Sequence, residues 1–294
     1  MKFINQQVEI LKGYNKESYP TQQISTKDLL REVFKDIERA GRICYKSEDK
    51  ITSTSAETFV QRIIKSNHTA MLEHGTIYLT VPIETSNVVS FYESNKYSKV
   101  VVDKNSTEFI YITTNYRVII ENNREDDLQY ITNPTTYHEK RISAKFITNR
   151  QVSHELVRHR AFSFAQESTR YCNYTKDKFG SELTFIDYSP AIKKLNNNAN
   201  NVPNFLTNLR TLLTKYMLKV LFRKIEKVYF CLIKTGWTAQ QTSLVLPFDI
   251  KTEIVMTGFE SDWKHFMDLR YYEKTGAVHP MMKELTNKFS KIII

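Results

Sequence analysis

The sequence predicts an α+β chain: a mixed sheet with long helices, folded as a single domain over residues 1–294. Three observations predict it. Segments of strand-like and helix-like pattern alternate without a strict βαβ rhythm, which argues against a doubly wound parallel sheet. One apolar run, Asn204 to Lys234, keeps a 3.6-residue period and is long enough for a dominant helix. Only 7 Gly and 7 Pro occur, too few for long flexible linkers between separate units.

The elements follow in order. Residues 1–24 are polar and carry few periodic cues. From Ser25, a suitable N-cap, a helix carries Leu29, Leu30, Val33, Phe34 and Ile37 on one face. Ser55 to Ser66 reads as a second helix with Phe59, Val60, Ile63 and Ile64 aligned. Thr76 to Val81 is a strand by its β-branched and aromatic content. Residues 84–108 are polar and weakly patterned, and read as an excursion over the surface. Phe109 to Thr114 is a strand and Asn115 to Asn122 a short helix. Ile142, Ala144, Phe146 and Thr148 alternate, as in a strand with one buried face.

Thr175 to Asn201 reads as a loop ending in an asparagine run. In the long helix Leu206, Leu209, Leu213, Met217, Val220, Leu221, Ile225, Val228 and Leu232 recur, and Gly236 ends it. Thr238 to Leu244 is a shorter helix stopped before Pro247. Lys251 to Thr257 is a strand. Ser261 is placed to cap a helix carrying Phe266 and Leu269. A last helix starts at about Pro280, a residue suited to a first turn.

Composition bounds the function. Lys+Arg 42 against Asp+Glu 32 gives a net charge of +10, a field that attracts anions: nucleic acid, acidic lipid or phosphorylated small molecules. The excess is spread along the chain, with no basic tail. Cys44, Cys172 and Cys231 are odd in number and irregular in spacing, so they form neither a disulfide framework nor a paired zinc motif, and no metal site is expected. A reducing cytoplasm is the expected compartment. Met1 to Tyr14 has no apolar core of signal-peptide length, and no stretch approaches a membrane span.

The stretch 151–174, QVSHELVRHRAFSFAQESTRYCNY, carries the chemistry. Arg158, His159, Arg160 and Arg170 bring three guanidiniums and an imidazole close together, with Ser168 and Tyr171 adding hydroxyls, Gln166 a donor and acceptor, and Glu167 an acceptor. Guanidinium forks match phosphate oxygens and the polar edges of flat heterocycles. A basic surface turn would have the same composition; the order of the residues separates the two.

Arg158-His159-Arg160, then Ala161 to Glu167, then Ser168 resembles the hallmark of flavin-dependent thymidylate synthases. The flanks, Val152 to Leu156 and Thr169 to Tyr174, resemble the same family. So do His68-Thr69-Ala70-Met71-Leu72-Glu73-His74, Ala40-Gly41-Arg42-Ile43-Cys44-Tyr45, Leu246-Pro247, Lys251-Thr252-Glu253, Trp263 to Arg270, and His279-Pro280. The stretch Tyr111 to Arg150, with Thr113-Thr114-Asn115-Tyr116-Arg117, resembles the branch with an insertion before the motif, here 84–150. The likeness covers roughly residues 30–290.

The resemblance implies a fold of the flavin-dependent thymidylate synthase type, one catalytic domain, and reductive methylation of dUMP with FAD. Methylenetetrahydrofolate and NADPH are the implied co-substrates. It implies a homotetramer with the Arg-His-Arg segment at the subunit interface. Arg158, His159, Arg160, Glu73 and His265 are implied at the cofactor. Glu155, Gln166, Glu167, Ser168, Thr169, Arg170 and Arg270 are implied at the nucleotide. Arg270, Ser168 and His68 carry the implied catalytic roles, with Arg270 on the pyrimidine and His68 near the flavin ring. The absence of a Gly-x-Gly-x-x-Gly fingerprint agrees with FAD lying between subunits. None of the cysteines follows a proline, the usual context of the nucleophile in flavin-free thymidylate synthases.

Two positions depart from the pattern. Where the family commonly has an arginine, four residues before Pro247, this chain has Ser243, and where the branch often has glutamine after His-Pro it has Met281. A diverged relative acting on a modified pyrimidine nucleotide, or with reduced activity, is therefore the alternative. A basic nucleic-acid-binding protein is the rival of another class. It would need a surface stripe of Lys and Arg with aromatics for stacking.

Overall fold

The computed structural model describes residues 1–12, 25–102, 108–176, 179–189, 192 and 204–293. Its strands are β1 (Lys2–Ile4), β2 (Gln7–Lys12), β3 (Thr76–Pro82), β4 (Lys99–Val102), β5 (Phe109–Asn115), β6 (Arg141–Asn149), β7 (Ser163–Gln166), β8 (Thr184–Ile186) and β9 (Lys251–Phe259). Its helices are α1 (Thr26–Tyr45), α2 (Ser55–Lys65), α3 (Ser86–Ser94), α4 (Tyr116–Glu121), α5 (Arg150–Leu156), α6 (Asn204–Lys234), α7 (Ala239–Thr242), α8 (Glu260–Arg270) and α9 (Pro280–Ile293). The α+β class holds. Parallel and antiparallel pairings both occur, but in separate sheets: β1–β8 is parallel, while β2–β6–β9–β7 and β3–β5–β4 are antiparallel.

The four-stranded sheet organises the molecule. β6 and β9 pair along their whole length, from Arg141 opposite Phe259 to Asn149 opposite Lys251. On one side Ala40 and Ile43 of α1 meet Ala165 and Val255. On the other, Ile142, Ala144 and Phe146 pack with Trp263 and Phe266 of α8 and Met282, Leu285 and Phe289 of α9. Both faces of β6 are thus covered, not the single face that its alternation suggested. Ser143 and Asn149, on the face opposite Ile142, Ala144 and Phe146, are buried and hydrogen-bonded: Ser143 Oγ shares a bond with Thr257 Oγ1, and Asn149 Nδ2 donates to Asp249. Gly258 of β9 sits where a Cβ would collide with the Phe162 ring, so the close approach of that ring requires glycine.

The three-stranded sheet builds a second core with α1 to α4, including Ile37, Phe59, Val60, Leu72, Ile77 and Ile112. Residues 84–108 are not only a surface excursion. They supply α3, which buries Val88, Val89 and Tyr92, and β4, which pairs with β5. The polar N-terminal stretch likewise supplies β1 and β2, and β8 lies within the segment expected to be a loop; the asparagine run falls outside the described residues.

Helix starts follow local chemistry. Ser25 caps α1 as expected, and Asn115, read as the start of a short helix, caps α4; each side-chain oxygen accepts from the backbone N–H three residues on. Ser261 does not cap α8. β9 stays paired through Phe259, so the helix begins at once at Glu260, and the Asp262 carboxylate accepts from Phe259 N at 3.2 Å. Thr238 caps α7 in a reciprocal box with Gln241, and the chain tightens into a 3-10 turn at Ser243–Val245.

α6 is a 31-residue helix that differs from expectation in which face it buries. Phe222 and Tyr229, with Leu218 and Ile225 beside them, pack on Phe185, Leu183 and Ile250. The stripe read from the sequence is largely exposed: Leu213 is 51%, Met217 68% and Leu221 49% accessible. Among the described residues no helix is long and apolar enough to cross a membrane.

Candidate active site

α5 is positioned by the end of β6. Asn149 caps it, its side chain accepting from Val152 N at 2.9 Å. The helix ends after Leu156, and the chain turns through Arg158, His159 and Arg160 into β7. The turn is held by His159 N to Leu156 O at 3.0 Å and Phe162 N to His159 O at 3.1 Å. The His159 ring lies edge-on to Phe266, 5.0 Å between centroids, and its Nε2 accepts from Arg270 Nε at 3.0 Å. Arg270 Nη1 is 3.5 Å from Glu155 Oε2. Arg270 is the last residue of α8, an end where the helix dipole favours a cation.

Burial, then the neighbouring Arg270 and His265, lowers the His159 pKa to about 4. The ring is therefore neutral near pH 7. With Nε2 accepting, its proton sits on Nδ1. Arg158, His159, Arg160, Phe162, Asp262, His265 and Arg270 line a cleft of about 400 Å³. Arg158 and Arg160 are exposed, and neither forms an ion pair among the described residues.

A second group forms where β7 runs out. Gln166 Nε2 donates to Ser153 Oγ at 2.8 Å, tying this strand to α5. Glu167 is only 1% exposed, and its carboxylate accepts from Lys251 Nζ at 2.9 Å and Tyr174 OH at 3.3 Å. That lysine continues through Glu253 to Lys46, with bonds of 2.5 and 2.6 Å. Burial opposes the charge on Glu253, but Lys251 and Lys46 overcome it and bring its pKa to about 2. Ser168 N donates to Cys44 O at 3.1 Å, so the Ala40–Tyr45 stretch and the motif meet. Ser168 and Thr169 are half-buried, and Arg170 is exposed, with its Nε donating to Gln240 Oε1 at 3.4 Å. Ser243 Oγ in turn donates to Gln240 O at 2.7 Å. The position where an arginine was expected is thus linked to Arg170 through Gln240.

The His68–His74 element is a 3-10 turn. His68 is exposed, and its Nδ1 is 3.0 Å from Tyr45 OH; Tyr45 also lies 5.9 Å from the Tyr171 ring. His68 and the Ser168 segment therefore share a neighbourhood. Glu73 is bound by Arg117 at 2.5 Å. His74 is buried against Thr257, with Nδ1 to Oγ1 at 2.8 Å; burial and Arg141 lower its pKa to about 3.

The expected site residues thus fall into two groups. Ser168, Thr169, Arg170, His68 and Glu73 do not line the cleft of Arg158, His159, His265 and Arg270. Sequence reasoning missed Tyr45, Asp262 and Gln240 as site neighbours. Tyr45 lay within a quoted motif and Asp262 directly before the Trp263–Arg270 run, but Gln240 carried no signal beyond its place in the predicted Thr238–Leu244 helix.

Known proteins resemble this chain in sequence. Residues 135–291 match the profile of a family described as thymidylate synthase complementing protein. A flavin-dependent thymidylate synthase of Corynebacterium glutamicum is 25% identical over 239 residues, covering 81% of this chain and 67% of that protein. One from Corynebacterium efficiens is 32% identical over 126 residues, 42% of this chain and 47% of the relative. One from Pyrococcus furiosus is 30% identical over 126 residues, 43% of this chain and 44% of the relative. A crystal structure of a UMP/dUMP methylase, PolB of Streptomyces cacaoi, with 5-Br dUMP aligns with a TM-score of 0.42 at 13% identity, over 99% of this chain and 91% of that one. With the family profile matching more than half of its length, this chain belongs to the thymidylate synthase complementing protein family.

Proposed function

We propose that the chain is a flavin-dependent thymidylate synthase. It methylates dUMP to dTMP using FAD, with methylenetetrahydrofolate as one-carbon donor and NADPH as reductant. The observation that carries this reading is the state of the motif arginines. Arg158, Arg160 and Arg170 are exposed and have no carboxylate partner among the described residues, although ion pairs are common elsewhere in the chain. Guanidiniums left without acids, two of them at the cleft and one in the Ser168 segment, fit an anionic ligand, and their forks fit phosphate.

The residues fit FAD on the same ground. Arg158, His159, Arg160 and His265 would hold it at the cleft, with Glu73 and His68 beside the flavin. Bound FAD supplies hydride chemistry that no side chain offers. Glu155, Gln166, Ser168, Thr169, Arg170 and Arg270 would hold the nucleotide, with Glu167 supporting the segment from beneath. Arg270 is oriented by neutral His159, which takes its Nε–H, and by Glu155, which lies 3.5 Å from Nη1; the Nη2 edge would face the pyrimidine oxygens. A guanidinium there stabilises negative charge that develops on the ring.

A cleft of about 400 Å³ is at the small end for ligand sites. The second group of site residues lies outside it. A homotetramer whose chains complete one another's sites accounts for both facts, and the exposed apolar stripe of α6 supports it. We read residues 84–150 as an insertion within one catalytic domain. Cys44, Cys172 and Cys231 form no disulfide among the described residues, which suits a reducing cytoplasm.

The test is titration with FAD followed by flavin fluorescence, then assay of dTMP formation with dUMP, methylenetetrahydrofolate and NADPH, each omitted in turn. Saturable binding and dTMP that depends on every component are expected. A protein that binds no FAD and forms no dTMP overturns the reading.

A further inference from the structure

The turn carrying Glu73 is gripped from the α4 side. Arg117 Nη1 donates to Glu73 Oε1 at 2.5 Å, and its Nε donates to Glu121 Oε1 at 2.9 Å. The same Glu121 oxygen accepts from Thr69 Oγ1 at 2.7 Å. Arg117 and Glu121 are one helical turn apart on α4, so both reach the same neighbour. Arg141 holds the other end of Glu73, donating from Nη1 to its main-chain carbonyl at 2.9 Å. The carboxylate therefore has a fixed position and a fixed counter-charge. The Glu73 side chain is 23% exposed and that of Arg117 35%, so water screens the pair only in part.

We propose that Arg117, shared between Glu73 and Glu121, is a positioning residue that holds the Glu73 carboxylate and offsets part of its charge, and thereby sets the site's preference between oxidised and reduced flavin. The inference rests on the reading that Glu73 faces FAD. Two-electron reduction leaves the flavin anionic at neutral pH. A bare carboxylate beside it disfavours that state, whereas a carboxylate bound to a guanidinium presents a weaker field. Arg141 keeps the backbone of Glu73 in place when Arg117 is changed, so the charge is altered without releasing the turn.

The experiment compares wild type, Arg117→Gln, Glu73→Gln and the double variant. FAD affinity is measured by fluorescence titration, and the flavin midpoint potential by reduction against a reference dye. Arg117→Gln should lower the preference for reduced over oxidised flavin about tenfold, a fall of about 30 mV for a two-electron couple. Glu73→Gln should raise the potential, and the double variant should return it toward wild type. A purely structural role weakens both oxidation states equally and leaves the potential unmoved, and that result in folded Arg117→Gln overturns the inference. Should Arg117→Gln not fold, an unmoved potential in Glu73→Gln overturns it equally. Wild type that takes up no FAD overturns the flavin reading itself, before any variant is made.

Discussion

Arg270 Nε donates to His159 Nε2 at 3.0 Å, linking the end of α8 to the Arg-His-Arg turn. The bond requires a neutral imidazole, and burial together with Arg270 and His265 keeps it so. With Glu155 Oε2 3.5 Å from Nη1, the guanidinium is oriented from two sides.

Arg270→Ala should lose far more turnover than FAD binding. Losing one donor that acts on developing charge costs on the order of 100- to 1000-fold in rate. Steady-state assay at saturating nucleotide checks it, beside FAD titration of the same variant. Unchanged turnover removes Arg270 from this role.

Such a link shows where the sequence was legible and where it was not. The run from Arg158 to Tyr174 is contiguous, so its order could be read directly. Arg270 and His159 are 111 positions apart, and Arg117 and Glu73 are 44 apart; only the fold pairs them. The cap at Ser25 is local chemistry and was readable. α3 was not, because nine residues with Val88, Val89 and Tyr92 give too short a period to stand out. In α6 the period was real, but periodicity cannot say whether an apolar face meets the chain's own core or lies open.

Acid should destabilise the protein well above the usual carboxylate range. His74, His138 and His159 have pKa values lowered from 6.5 to about 3, about 4 and about 4, in each case chiefly by burial. The unfolded chain binds these protons near pH 6.5 and the folded chain only near 3–4. Stability is therefore full above 6.5 and falls as pH drops toward 3. At about 1.4 kcal/mol per pKa unit the combined loss is several kcal/mol. Urea unfolding midpoints from pH 7.5 to 4 measure it, and a flat profile between 6.5 and 4.5 contradicts it.

The exposed stripe of α6 should hold chains together. Met217 is 68% and Leu213 51% accessible. Leu213→Glu/Met217→Glu places two carboxylates on that face while leaving Phe222 and Tyr229 in the core. Light scattering should show a smaller assembly at unchanged helix content by circular dichroism, with weaker FAD uptake. A variant of wild-type mass removes this face from the interface.

Ser243 is the most exposed position in the functional reading. Its Oγ donates to the Gln240 carbonyl, and the Gln240 side chain accepts from Arg170. The site therefore lacks one guanidinium that the resemblance implies and steadies another through a neutral amide. Ser243→Arg should tighten dUMP binding by adding a charge-assisted hydrogen bond, roughly 1.5–3 kcal/mol in favourable cases. Placing it near Arg170 offsets part of that gain by like-charge repulsion, so an effect at the low end, about tenfold in affinity, is expected. Calorimetry on both proteins at matched salt with FAD bound decides it. Unchanged or weaker affinity in a folded variant means that Arg170 and Gln240 already fill the role, or that the natural nucleotide differs at this contact. A panel of modified pyrimidine nucleotides then separates the two, because only in the second case does the unaltered protein prefer one of them to dUMP.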